Sequence, residues 1–556
     1  MPSPPSAPRR FGSADPFFDE SSWRYRMGRP LANAQFLAAL LQYSRFDAFD
    51  FFLPDVAYVE RWMGRLAELL PDPADRRRIH AWPMTQLTAQ LDAHPFAVFH
   101  QGDFTYFMPQ LVALRQARGT TPFCVTGVTH SLDNLQERFI SLVHADLQSY
   151  DGIVCTSRAA QAVVRHQLAQ VAQHWQRPVP PVSTAIIPLG IEAAQLELPA
   201  PSEEGQRAAR QHLGLPLEGV GFISLGRLSL RSKNDWAPIF ALWARLETAG
   251  VLRDSFFVLA GGCAPESLQL WQDLRQRFGL QGRLFLLPNL PPKRKKALFA
   301  AADVFLALVD NAQESFGLCV LEAMAARLPC LAVDFDGYRD MLTDGQDAVL
   351  IPTVGSVNLP GCLQASGGLL DPGMVRLLGA QMTAVDLDAL QKGLLRLLQQ
   401  PAWRRSLGLA AKQRAQAFAW PRVIGQYEVF WEQLGGQRPT QAQPAPAARW
   451  RLGGAGLAAF SGHVSHPLQP HDRLSLTEVG AALRQQPDEV VRYADVEALL
   501  APAVEQALLG AAYPQASLDD LRTAGLEAGA AEVGDVDFHL LWLLKQGALR
   551  LHGVAK

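Results

Sequence analysis

The chain runs to 556 residues, 48% hydrophobic and 19% charged, and its 51 Lys and Arg nearly balance 53 Asp and Glu to leave a net charge of -2. It is too long for one ordinary domain, and without a basic excess it offers nucleic acid no electrostatic footprint. The six cysteines are scattered with no C-x-x-C pair, so they read as reduced thiols of a cytoplasmic protein; no apolar run is long enough for a transmembrane segment, and no signal-peptide core opens the chain.

Residues 1–22, rich in Pro and Ser, are expected to be a flexible segment, ordered only where Phe17 and Phe18 dock. From 23 to 195, strand-like runs alternate with helical ones. The strands are FDAFDFF (46–52), FAVFH (96–100), FCVTGVTH (123–130), GIVCTS (152–157) and STAIIPLG (183–190). Helices are predicted at 34–43, 56–69, 106–118 and 135–147, and after the cap Ser157. From 196 to 435 the plan repeats, with strands at 220–226, 256–262, 283–288 and 303–309 and helices at 235–247, 266–277 and 293–301. This alternation predicts an α/β fold of two doubly wound, Rossmann-like domains, with a ligand site where the carboxyl ends of both strand sets converge. A Pro/Gln/Ala linker, 436–448, leads to a small, mainly helical module, 449–556, whose helices end in one helix and a β segment, a winged-helix-like order. It has no basic stripe and is expected to contact protein or acceptor rather than nucleic acid.

The chemistry concentrates in ADVFLALVDNAQESFGLCVLEAMAARLPCLAVDFDGYRD, Ala302 to Asp340, which reads as strand, loop, helix, strand, loop. Ser315 stands before an apolar helical run as an N-cap, leaving the amides of Phe316, Gly317 and Leu318 in a first turn that attracts anions. Glu322 is the one polar residue of that helix; a buried carboxylate needs donors, and a nucleotide ribose supplies two hydroxyls. Upstream, GRLSLRSK ends a buried strand at Gly226, where backbone can approach a ligand. Arg227 and Lys233 bring two cations to the same mouth, enough to neutralise a diphosphate without a metal; the alternative is two solvated loop charges.

Taken together, Gly226-Arg227…Lys233, the E-x7-E spacing from Glu314 to Glu322, LPCLAVDFDGYRDML and FAWPRVIGQYEVFWEQL (418–434) resemble the retaining family 4 glycosyltransferases of the GT-B fold. His130 after FCVTGVT resembles their N-domain histidine, and coverage runs from about residue 25 to 435. The resemblance implies that 23–195 is the acceptor side and 196–435 the nucleotide-sugar donor side, with helices 418–434 crossing back. It implies a hexosyltransferase: transfer from a nucleotide diphosphate sugar, UDP-sugar favoured, to an acceptor hydroxyl with retention, without metal or cofactor. Arg227, Lys233 and the amides of Phe316, Gly317 and Leu318 would hold the diphosphate, Glu322 the ribose, and Glu314 and His130 the sugar as the catalytic pair. The acceptor, whether glycan, lipid-linked sugar, protein or small molecule, stays open, as do peripheral membrane contact and a protein partner at 449–556. A GT-B scaffold that binds nucleotide sugar or a partner without turnover is the alternative. Two departures stand out: Arg327 replaces the family's usual Gly, and the first-domain glycine-rich loop is represented only by MGRPLANA, Met27 to Ala34.

Four other signals have bland readings. Asp334-Phe335-Asp336 imitates a D-x-D metal motif but is expected to be a loop beside Gly337. His463, His466 and His471 read as a polar linker rather than metal ligands. Lys293-Arg294-Lys295-Lys296 reads as a solvated helix face rather than a lipid contact. Val354 to Thr383 is longer than a plain connection requires, and a lid or acceptor loop is the functional reading.

Overall fold

The computed structural model describes residues 8–17, 28–118, 122–133, 136–197, 202–312, 314–439, 463–486 and 490–552. The segments 1–7, 18–27 and 440–462 therefore lie outside the described residues, and with them Phe18, Met27 and most of the expected linker. The strands, in chain order, are β1 (Arg10–Ser13), β2 (Ala48–Leu53), β3 (Ile79–Pro83), β4 (Val98–Gln101), β5 (Cys124–Val128), β6 (Gly152–Cys155) and β7 (Ser183–Ile186). They continue as β8 (Val220–Leu225), β9 (Ser255–Gly261), β10 (Leu284–Pro288), β11 (Val304–Ala307), β12 (Cys330–Val333) and β13 (Ala348–Ile351). The chain forms two compact units, one of residues 1–47, 96–115 and 121–442, the other of 48–95, 116–120 and 443–556. These cut the chain elsewhere than the expected domain boundaries.

In the first unit, β1, β4, β5, β6 and β7 pair in that order, all parallel. Strand β1 is a correction. Its residues were assigned to a flexible tail on composition, yet Phe11, Gly12 and Ser13 are buried, and Ser13 Oγ donates to the His100 carbonyl at 2.7 Å. A four-residue strand buried against β4 gives no periodicity long enough to outweigh its Pro- and Ser-rich flanks. The second sheet of this unit has the parallel order β10–β9–β8–β11–β12–β13. Its strands are near-continuous apolar runs because helices cover both faces, and Phe222, Val258, Leu284, Val304 and Leu331 are fully buried. The strand order reverses between β8 and β11, which places a crevice outside their carboxyl ends. The helix Trp420–Gly436 runs back over the first sheet: Trp431 Nε1 donates to Thr126 Oγ1 at 3.2 Å. A Cβ on Gly152 would lie 2.6 Å from the Phe430 ring.

In the second unit, β2 and β3 pair in parallel. Residues 463–552 are helical with three short antiparallel strands, Ala516–Ser517, Arg473–Leu476 and Leu549–His552 in that spatial order, around Leu474, Leu508, Leu518 and Leu540. Strands and helices interleave here, instead of helices followed by one β segment. Among the described residues, no helix is long and apolar enough to cross a membrane.

Candidate functional site

The loops after β8 and β11 carry the residues expected to face the donor. Gly226 directly follows β8 and its amide donates to the Ala260 carbonyl at 3.0 Å. That close approach requires a glycine on the neighbouring strand, since a Cβ on Gly261 would lie 1.8 Å from the Gly226 carbonyl oxygen. Arg227 donates to the Ser232 carbonyl at 3.4 Å. Burial lowers its guanidinium and Arg376 lowers it further, while Glu314 and Asp133 pull the other way. A small cavity of about 20 Å³ opens here between Ser224, Gly226, Lys233, Leu308, Cys319 and Tyr338.

Lys233 and Glu314 form an ion pair, side chains 21% and 11% exposed. Burial alone pushes Lys233 down and Glu314 up. Their mutual charge reverses both shifts, so Lys233 ends above its usual range and Glu314 below it. The amides of Ser315 and Phe316 also donate to the Glu314 carboxylate. One expectation is corrected by this geometry. The helix is Leu318–Ala325 and its N-cap is Gly317, at φ +97°, with no side-chain cap, so Ser315 is not the cap. Gly317 reaches a left-handed conformation at no steric cost, and a Cβ there would lie 2.4 Å from Tyr338 Cε1, which starts the helix later than a serine cap would. The Phe316, Gly317 and Leu318 amides remain the ones expected at the diphosphate.

At Glu322 one carboxylate oxygen is held and the other is not. Lys295 Nζ donates to Oε1 at 2.6 Å, while Oε2 is buried with no hydrogen-bond partner among the described residues. Lys295, from helix Pro292–Ala301, is thus no solvated surface charge, and the reading of 293–296 is corrected for this residue.

On the other sheet, His130 follows β5 and is 8% exposed. Its Nε2 lies 2.7 Å from the Gly102 carbonyl and 3.0 Å from Asn33 Oδ1, two acceptors that place the proton on Nε2. Burial lowers its pKa to about 4, so the ring is neutral through the physiological range. Asn33 sits on helix Gly28–Tyr43, the described part of the MGRPLANA stretch, whose Arg29 bonds Asp103 at 3.0 Å. Asp334 of the D-x-D triplet pairs with Arg339 at 2.7 Å; Asp336, at φ +46°, is raised to about 7 by burial and by the Glu314 charge. Among the described residues no group of three His, Cys, Asp or Glu could hold a metal, and His466 bonds Asp472 at 3.0 Å. Sequence reasoning gave no role to Asp133 or Arg376, and it met Lys295, Asn33 and Asp336 only inside a cation cluster, the MGRPLANA stretch and the D-x-D triplet.

Residues 206–358 match the model of the glycosyl transferases group 1 family, and the architecture is GT-B. Among curated relatives, the D-inositol 3-phosphate glycosyltransferase of Acidothermus cellulolyticus is 30% identical over 196 residues, 34% of this chain and 41% of that protein. The phosphatidyl-myo-inositol mannosyltransferase of Mycobacterium leprae is 26% identical over 302 residues, 54% of this chain and 70% of that protein. The chain spans about two fifths of the length of the first two relatives it matches. The fold is shared with the Anabaena protein HepE, solved in complex with UDP, at a TM-score of 0.50 and 14% identity over 76% of this chain and 100% of that one. These findings bear out the likeness to the family 4 glycosyltransferases.

Proposed function

We propose that the protein is a retaining hexosyltransferase that moves a sugar from a nucleotide diphosphate sugar, UDP-sugar first among those to test, to an acceptor hydroxyl without metal or cofactor. The observation that carries this reading is the half-satisfied Glu322 beside the Lys233–Glu314 pair at one crevice, inside a group 1 domain. Nucleotide ribose supplies the donor that Glu322 Oε2 lacks. The diphosphate competes for Lys233, with Arg227 and the Leu318 amide beside it, and releases Glu314 to accept sugar hydroxyls. The anomeric carbon–phosphate oxygen bond then breaks as the bond to the acceptor oxygen forms on the same face, and the acceptor proton passes to the leaving phosphate. Fixed donors in a water-poor crevice stabilise the charge that develops there. His130, neutral and anchored through Nε2, lines the sugar from the first sheet. Polyol phosphates and inositol lipids, by analogy with the relatives' names, are the acceptor classes to screen.

Calorimetry with UDP, GDP and ADP, with and without EDTA, tests the reading. One nucleotide should bind with or without chelator; binding abolished by EDTA would sink the metal-free site. Glu322→Ala should weaken that nucleotide by about 1–3 kcal/mol, and unchanged affinity removes the ribose assignment.

A further inference from the structure

Asp133 lies on the loop after β5, three residues beyond His130. Its side chain is 7% exposed and Oδ2 is bound by Arg376 Nε. Its Oδ1 is buried with no hydrogen-bond partner among the described residues. Arg376 comes from helix Pro372–Ala380, inside the long segment between β13 and helix Leu387–Gln399. That helix is tied to the donor-side loops: Arg231 pairs with Asp371 at 3.5 Å, Gln381 Nε2 donates to Asp235 Oδ2 at 3.2 Å, and Asn311 Nδ2 donates to the Arg376 carbonyl at 3.4 Å. Arg227 feels the charges of Arg376, Glu314 and Asp133.

A buried carboxylate oxygen without a donor is destabilising, and its neighbour says what kind of donor fits. Arg376 already supplies the positive charge, so the remaining oxygen calls for a compact neutral donor. Glu322 presents the same arrangement, with Lys295 in place of Arg376. A second hydroxyl site, on the side of the crevice where His130 and Glu314 face the sugar, follows from that parallel. We propose that Asp133 binds a hydroxyl of the transferred sugar through Oδ1, with Arg376 as the residue that positions it. This assignment rests on the donor reading above.

The test uses whichever of UDP-glucose, UDP-N-acetylglucosamine, GDP-mannose and ADP-glucose the full chain hydrolyses fastest. Asp133→Ala and Asp133→Asn should each slow hydrolysis at least ten-fold while affinity for the bare nucleoside diphosphate stays within two-fold. The asparagine variant has one acceptor oxygen in place of two, so it cannot accept from Arg376 and from a sugar hydroxyl at once, and it lacks the charge that pairs with Arg376. Arg376→Ala should cost three- to ten-fold and Arg376→Lys should recover most of it, which a merely structural role would not do. Hydrolysis within two-fold of wild type in both Asp133 variants overturns the proposal, as does a parallel loss of nucleotide affinity. Glu322→Ala run alongside separates the two ideas. If it weakens the nucleotide and the Asp133 variants hydrolyse normally, only the present inference fails. If it leaves the nucleotide unchanged, or wild type hydrolyses none of the four, the donor reading fails and this one with it.

Discussion

Glu322 and Asp133 are both buried carboxylates with one oxygen held by a cation and the other without a donor, yet the sequence separation of each pair is very different. Lys295 is 27 residues from Glu322, on the helix that leads into β11, so one sheet fixes both partners. Arg376 is 243 residues from Asp133, and the pair joins a loop of the first sheet to a helix inserted after the last strand of the second. The first pair depends only on local α/β packing, whereas the second exists only when the two sheets approach. On the proposed reading, a ligand hydroxyl at Glu322 would report on nucleotide binding alone, and one at Asp133 on closure around the sugar. Glu314 is the contrasting case, a carboxylate whose partners are all in place through Lys233 and two amides.

That contrast yields the largest expected effect. Removing Glu314 leaves Lys233 buried without its partner, and a diphosphate can supply the missing charge. For Glu314→Ala, transfer or donor hydrolysis should fall by about 10²–10³-fold, while nucleotide diphosphate affinity is kept or improved. Steady-state kinetics and calorimetry on the same preparation check both halves. Wild-type turnover, or a weakened nucleotide, would break the distinction between the satisfied carboxylate and the half-satisfied ones.

What could be read from the chain follows the same division by range. Glu322 was legible because a lone acid in an apolar helix has to be explained, and the cations of the β8 loop were legible by their nearness to a strand end. Lys295 was hidden among four consecutive cations, because helix packing alone decides which of them turns inward. Asp133 and Arg376 carry no local signal at all, since neither breaks a pattern where it stands. The misplacement of the N-cap at Ser315 has a backbone cause: serine is the better cap by propensity, but the left-handed Gly317 sets where the chain turns. The alternation of strands and helices survived these errors because each buried strand of the second sheet repeats the same apolar signature.

A smaller effect concerns pH. Burial and then the Glu314 charge raise Asp336 to about 7, so it is protonated below that value and adds a negative charge beside Glu314 above it. Nucleotide affinity should accordingly fall a few-fold between about pH 6 and 8, the direction set by anionic phosphate meeting a new anion. For stability the same raised carboxyl favours the folded state most below the ordinary value of 3.8, and this contribution is lost as pH rises through about 7. Asp336→Asn should flatten the affinity profile. His130, already neutral above about 4, should leave no inflection at the usual imidazole range. An inflection near 6.5 that persists in Asp336→Asn would reject both assignments.

The smallest effect separates the stability of the helix that carries Glu322 from the placement of its carboxylate. Arg327 ends that helix at φ +62°, with its amide on the Met324 carbonyl and the Leu328 amide on the Ala323 carbonyl, both at 3.0 Å. This is the position where the family resemblance leads one to expect glycine, and an L-residue held left-handed costs roughly 1–2 kcal/mol. Arg327 Nε is also buried without a partner among the described residues. Its charge adds to the effect of burial in lowering Lys412. Arg327→Gly relieves these terms but adds unfolded-state entropy of about 0.5–1 kcal/mol, so the net gain should be about 0.5–1 kcal/mol, read as a higher urea midpoint at constant slope. Because Glu322 is fixed from the helix side by Lys295 and not by the turn, nucleotide affinity should not move. A lower midpoint would show that the arginine side chain anchors the turn. A changed affinity would show that Glu322 is set by the end of its helix, and the local pair would then be no more self-contained than the one across the crevice.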